Sequence, residues 1–229
     1  MRQIHIEMNR VWLEKFHDLN ELKTVDLALK DNCRDAVKIL IVDDDEFLYF
    51  NELRNAKFNI TKVDDIQDLL SVSEYPIVIC DIRGVGKKFG SQREGIFVID
   101  ELKKKYPFKQ YAIYSGSMNQ FGLTTLPQGV VPINKDITVE EWTRTFDELI
   151  RKVTDPIEVW KTIRAYLLSK DVSLISILRL ESEYVKVVLN NPKDLERFPS
   201  QRTSIELSND VRGVIQSLVA GVILALAKM

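Results

Sequence analysis

Five short apolar runs recur through the middle of the chain: 37–42 (VKILIV), 58–63 (FNITKV), 76–80 (PIVIC), 110–114 (QYAIY) and 129–133 (GVVPI). Their apolar stretches are too short and too rich in Val and Ile to read as helices. Between them lie stretches with helical spacing at 46–56, 65–72, 95–105 and 138–151, while 117–127 shows no clear period. Strands that alternate with helices build βαβ units, and a parallel sheet buried on both faces follows. The expected fold class is therefore α/β, a doubly wound five-stranded parallel sheet with an N-terminal helix and a C-terminal all-α segment.

In such sheets ligands bind outside the carboxyl ends of the strands. Strand one runs into Asp43-Asp44-Asp45, strand three into Asp81, strand four into Ser115 and strand five into Lys135. A parallel sheet brings all of these to one edge. Packed carboxylates repel one another, and the repulsion is relieved by a cation. A hard divalent ion such as Mg²⁺ takes oxygen ligands, few of them from protein, and keeps several waters. Asp43, Asp44 and Asp81 are the candidate ligands, with Ser115 and Lys135 placed to hold phosphoryl oxygens. The bland alternatives are a solvated acidic cluster, a turn serine before Gly116 and an ordinary surface lysine. Asp45 and Glu46 read as acids of a first helical turn, favoured there by the helix dipole.

On KILIVDDD, the strand-end Asp81, the helix GIFVIDELKKKYP at 95–107, the Ser-Gly of YSGS and Lys135, residues 37–150 resemble the receiver domain of bacterial two-component response regulators. The resemblance covers about half of the chain and implies a flavodoxin-like fold. It implies Asp81 as phosphoacceptor, Asp43 and Asp44 as the acidic pair for Mg²⁺, and the backbone carbonyl of Arg83 as a further ligand. Ser115 becomes the switch hydroxyl and Lys135 the ion-pairing lysine. It implies a histidine kinase or phosphotransfer protein as partner, and no dedicated enzyme activity beyond slow autodephosphorylation. The chain departs from the family pattern in several places. Lys135 is followed by Asp136 where proline is usual, and a cis bond without proline costs about 3 kcal/mol, so a trans bond is expected. Pro132 stands where an aromatic residue usually reports phosphorylation, and proline suits only an edge strand. Glu94-Gly95 replaces Asp-Gly, and the loop IRGVGKKFGSQRE after Asp81 is long and basic. These departures keep a second reading open, a phosphorylation-independent interaction scaffold. Within that loop, Gly84-Val85-Gly86-Lys87-Lys88 lacks the rest of a phosphate loop and reads as a mobile basic segment.

The flanks are apolar and helical in pattern. Residues 1–36 carry Ile4, Met8, Val11, Trp12, Phe16, Leu19 and Leu22 at spacings of three and four. His17 lies there in KFHDLNELK and invites a relay to Asp81, although an exposed helical histidine is the simpler reading. In residues 151–229, Asp155-Pro156 opens one helix, a second spans about 172–189 and stops at Asn190-Asn191-Pro192, 193–209 reads as polar loop, and 210–229 as a last helix. That segment holds twelve basic and nine acidic residues with no basic groove helix, so DNA binding is not expected. Its uninterrupted apolar run, Leu218 to Ala227, is ten residues long, too short to span a bilayer. A homodimer through the helical segments is expected, with membrane contact the minor alternative. Cys33 and Cys80 are the only cysteines and the N-terminus has no secretory apolar core, so a reducing cytoplasm is the expected location.

Overall fold

A computed structural model of the chain describes residues 16–24, 33–116 and 126–227. Strands β1 (Lys38–Val42), β2 (Asn59–Val63), β3 (Ile77–Asp81), β4 (Gln110–Ser115) and β5 (Val131–Asn134) form one all-parallel sheet in the order β2-β1-β3-β4-β5. The helices are α1 (Phe50–Asn55), α2 (Glu94–Lys105), α3 (Val139–Thr154), α4 (Pro156–Ser169), α5 (Leu174–Asn190) and α6 (Asn209–Leu226). The period-two alternation of strand side chains divides the sheet into two faces. Ile39, Ile41, Ile77, Ile79, Ala112, Tyr114 and Ile133 pack under α1 and α3 with Leu53, Trp142 and Phe146. Leu40, Val42, Val78, Cys80, Tyr111 and Ile113 pack under α2 with Ile96, Ile99 and Leu102. This is the doubly wound α/β architecture.

A third core belongs to the C-terminal segment. Trp160, Ile163 and Leu167 of α4, Leu180 and Tyr184 of α5, and Ile215 and Val219 of α6 are buried together with Leu22. The segment joins the sheet through α3. Asp155 closes α3 and also caps α4, accepting from the main-chain N–H groups of Ile157 and Glu158 at 2.8 and 3.2 Å, with Pro156 at the first helical position. A capping box between Thr138 and Glu141 opens α3. Ser173 and Ser208 cap α5 and α6. Gly221 of α6 lies so close to α3 that a Cβ there would sit 1.9 Å from the Val153 carbonyl oxygen.

Several expectations need correction. No helix forms over 65–72. Asp68 accepts from the N–H groups of Leu70 and Ser71 at 2.6 and 3.0 Å and turns the chain, and Ile66 and Val72 pack against the sheet without one. The expected helix 46–56 is only Phe50–Asn55, so Asp45 and Glu46 are outside it. The loop at 84–88 is tied down rather than mobile. Asp65 accepts from the N–H groups of Gly86 and Lys87, Lys88 reaches the Gln67 carbonyl at 2.7 Å, and Lys87–Phe89 is a 3-10 turn. Residues 193–209 are not a plain polar loop. Pro192–Arg197 is a 3-10 turn, Leu195, Phe198 and Leu207 enter the helical core, and Glu183 accepts from Ser200 N–H and the Thr203 hydroxyl. The N-terminal helix falls largely on residues outside those described, and the described part, Leu19–Thr24, is a 3-10 turn. Residues 117–125 and 228–229 are likewise outside.

Candidate functional site

β1, β3 and β4 end at the same edge of the sheet, and parity decides what they present there. Asp43 continues the odd-numbered face of β1, Asp81 that of β3, and Tyr114 shares that face on β4. Asp43, Asp81 and Ser115 are buried, whereas Asp44 points outward and is exposed. Carboxylate oxygens of Asp43, Asp44 and Asp81 lie within 4.8 Å of one another. Lys135, following β5, brings its Nζ to 2.6 Å from Asp81 Oδ2 and 3.3 Å from Asp43 Oδ2. Its backbone N–H donates to the Ser115 carbonyl at 3.2 Å, which fixes the end of β5 on the end of β4. The structure thus brings together Asp43, Asp44, Asp81 and Lys135, with Ser115 at the adjoining strand end. Arg83 occupies the exposed bend that follows Asp81.

Main-chain donors hold the carboxylates in place. Asp45 N–H donates to Asp43 Oδ1 at 2.9 Å, and Ile82 N–H donates to Asp81 Oδ1 at 2.7 Å. Two glycines allow the close packing. Gly84, at a φ of +79°, has the Asp44 carboxylate where its Cβ would be, and a Cβ on Gly95 would fall 1.8 Å from the Asp81 carbonyl oxygen. Glu94 accepts from Gly84 N–H at 3.2 Å, so the Glu-Gly pair closes the loop onto the site.

Burial pushes the Asp81 carboxyl above its ordinary pKa, against the pull of the Lys135 ammonium. Burial works the other way on Lys135, but its hydrogen bond to Asp81 and the charges of Asp81 and Asp43 outweigh it and hold the lysine protonated, above its usual value. The hydrogen bond from Lys87, 2.8 Å away, keeps Asp44 below the usual carboxylate range. Tyr114 donates its hydroxyl to Asp43 Oδ2, and burial and that bond push it far above a normal phenol. It stays neutral and a donor.

Tyr114 and Lys87 were missed in the sequence. Tyr114 shares the sheet face of Asp81 through the register of β3 on β4, which the sequence alone does not give. Lys87 was not legible either, because only the folded loop brings it to Asp44. His17 does not join the cluster. Its Nδ1 pairs with Glu21 at 2.9 Å and its backbone N–H donates to Ser182 Oγ at 3.0 Å, which pins the 3-10 turn to α5. Pro132 is exposed on the edge strand, and the Lys135–Asp136 bond is trans, as expected.

The donor set fits a hard divalent cation. It offers only carboxylate oxygens at one edge, one of the three acids is open to water, and each oxygen keeps lone pairs beyond the bonds named. Lys135 and Lys87 supply the compensating charge in the structure described.

No family model matches the chain, and no curated protein matches it. Among solved structures, the crystal structure of full-length FixJ from B. japonicum is similar, with 22% identity, a TM-score of 0.42, and coverage of 84% of this chain and 97% of that one.

Proposed function

We propose that the chain is a phosphoryl-accepting signalling protein in which Asp81 takes a phosphoryl group from a partner histidine kinase or phosphotransfer protein. The observation that carries this reading is the pair of buried carboxylates, Asp43 and Asp81, bridged by one lysine ammonium at 3.3 and 2.6 Å. A structural ion pair needs one carboxylate, whereas an acceptor site needs the second acid to gather positive charge beside the first. An oxygen of Asp81 attacks phosphorus in line, forming the acyl phosphate as the bond from phosphorus to the donor nitrogen breaks. Asp43, Asp44, Asp81 and the Arg83 carbonyl would hold a Mg²⁺ ion, which would spread the charge on the transferred group. Lys135 exchanges its bond to the Asp81 carboxylate for one to a phosphoryl oxygen, and the Ser115 hydroxyl takes another. Water reverses the modification slowly at the same centre. The output passes through the flanking segments, residues 151–229 and the N-terminal 1–36, to a homodimer or protein partner in the cytoplasm, with no DNA contact.

One observation favours the scaffold reading. Lys87 occupies Asp44 at 2.8 Å and so stands in for a cation. A site satisfied by its own lysines needs no ion and no phosphate.

Intact-protein mass after incubation with acetyl phosphate, with and without Mg²⁺, distinguishes the two. The acceptor reading predicts an 80 Da adduct (on the order of one phosphoryl group) on the wild type that requires Mg²⁺ and is absent from Asp81→Asn. No adduct on the wild type, with Mg²⁺ in excess, rejects it in favour of the scaffold.

A further inference from the structure

The opposite end of the sheet holds a second feature. The amino ends of the strands, the end of α2 and the face of α6 line an open pocket of about 1080 Å³. Pockets of that size at the junction of two structural units are where proteins take small molecules. The lining follows α6 from Asp210 to Leu224, fourteen helical steps or about 21 Å. It is therefore a trough rather than a bowl. Its walls are apolar and aromatic, with Tyr106, Phe108 and Tyr166 opposite Val214, Leu218 and Leu224.

The charges at this cavity are mostly positive. Six lysines line it, at positions 38, 104, 105, 109, 152 and 170, against two carboxylates, Glu74 and Asp210. Glu74 is already taken by Lys38, and Lys104 pairs with Glu101. Among the described residues Lys105, Lys109, Lys152 and Lys170 have no ion-pair partner. Lys109 is half-buried, with its ammonium held by the carbonyls of Ser73 and Tyr75 at 2.8 and 2.7 Å, which leaves one N–H of three. α6 also explains itself this way. Its eighteen residues are apolar enough to cross a membrane by length and composition, as core helices of soluble proteins also are, yet only 28% of them are buried. Part of the remainder faces the trough.

We propose that this trough binds a long-chain organic anion of the fatty-carboxylate class. The apolar length of α6 accepts the chain, and the unpaired lysines at the walls accept the head group. A compact anion such as inorganic phosphate meets the lysines but leaves the apolar wall wet, and a neutral chain leaves the lysines uncompensated.

The test is calorimetric titration of the full chain with oleate below its micelle concentration, beside oleyl alcohol and phosphatidylglycerol vesicles. Gly213 of α6 lines the cavity, and a Cβ there meets nothing within 4 Å, so Gly213→Leu fills the trough and favours the helix. The expected result is saturable one-to-one binding of oleate, weakened about tenfold or more in Gly213→Leu and in Lys105→Gln/Lys170→Gln, with a melting midpoint that does not fall in either variant. Four results overturn the proposal: no saturable binding, equal binding of oleyl alcohol, unchanged binding in Gly213→Leu, or co-sedimentation with vesicles that free oleate does not compete away. A light-scattering mass that is twice the monomer in the wild type and falls in Gly213→Leu, without oleate binding, assigns the trough to a second copy and overturns it too.

Discussion

The carboxyl and amino ends of the sheet are built from the same five strands, yet they differ in charge, packing and origin. At the carboxyl end three aspartates and two lysines interlock at hydrogen-bond distance, and local main-chain donors hold them. At the amino end unpaired lysines surround an open trough whose far wall comes from α6, more than a hundred residues along the chain from β3. The first end is a product of strand register. The second is a product of docking, and exists only while α6 sits on α3. The two ends should therefore fail independently.

The largest effects come from placing a Cβ where backbone is already present. Gly95→Ala drives a methyl into the Asp81 carbonyl, and a loss of about 3 kcal/mol is expected in urea unfolding together with loss of any Mg²⁺ binding. Gly221→Ala does the same against Val153, with a similar loss of stability, but leaves the carboxyl end intact. Mg²⁺ titration followed by tryptophan fluorescence separates the two. If Gly221→Ala abolishes ion binding, the ends are not independent.

Lys135→Met comes next. It leaves Asp43 and Asp81 buried without a cation, and a loss of about 3 kcal/mol is expected, the low end for a broken buried pair because the lysine is 29% exposed. Asp81→Asn added to Lys135→Met should recover part of it, a coupling that a double-mutant cycle in urea reads directly. Asp81→Asn alone should stabilise the fold by about 1 kcal/mol, raising the melting midpoint by a few degrees, because burial disfavours the carboxylate that the amide replaces. A lower midpoint would mean that the bond to Lys135 outweighs burial. The smallest effect belongs to Lys87→Ala, at an exposed pair. The melting midpoint should not move, and Mg²⁺ affinity should rise as Asp44 is released.

What the sequence disclosed follows the same division. The strands, their parallel order and the convergence of Asp43, Asp81, Ser115 and Lys135 were legible because period-two burial and strand-end position are local patterns. Even the edge position of β5 showed in Pro132. Residues 65–72 misled because apolar spacing there resembles a helix, whereas Asp68 spends its carboxylate on turn N–H groups. The stretch 193–209 looked polar because its acids, hydroxyls and amides are visible in sequence while their partners on α5 are not. The trough was invisible for the same reason. Its lysines are scattered from 38 to 170 and look like ordinary surface charge until α6 gathers them around one space.

The joint at Asp155 has a mechanical consequence. One residue ends α3 and begins α4, so no slack separates the helix that lies on the sheet from the one that opens the C-terminal core. A displacement of α3 would therefore be passed to α4 at Asp155 without a linker to absorb it. α4 is fourteen residues long, about 21 Å, so a tilt of about 3° at Asp155 moves its far end by about 1 Å. That end lies at Tyr166 and Lys170, on the wall of the trough, so a shift of α3 on the sheet would change the width of its opening.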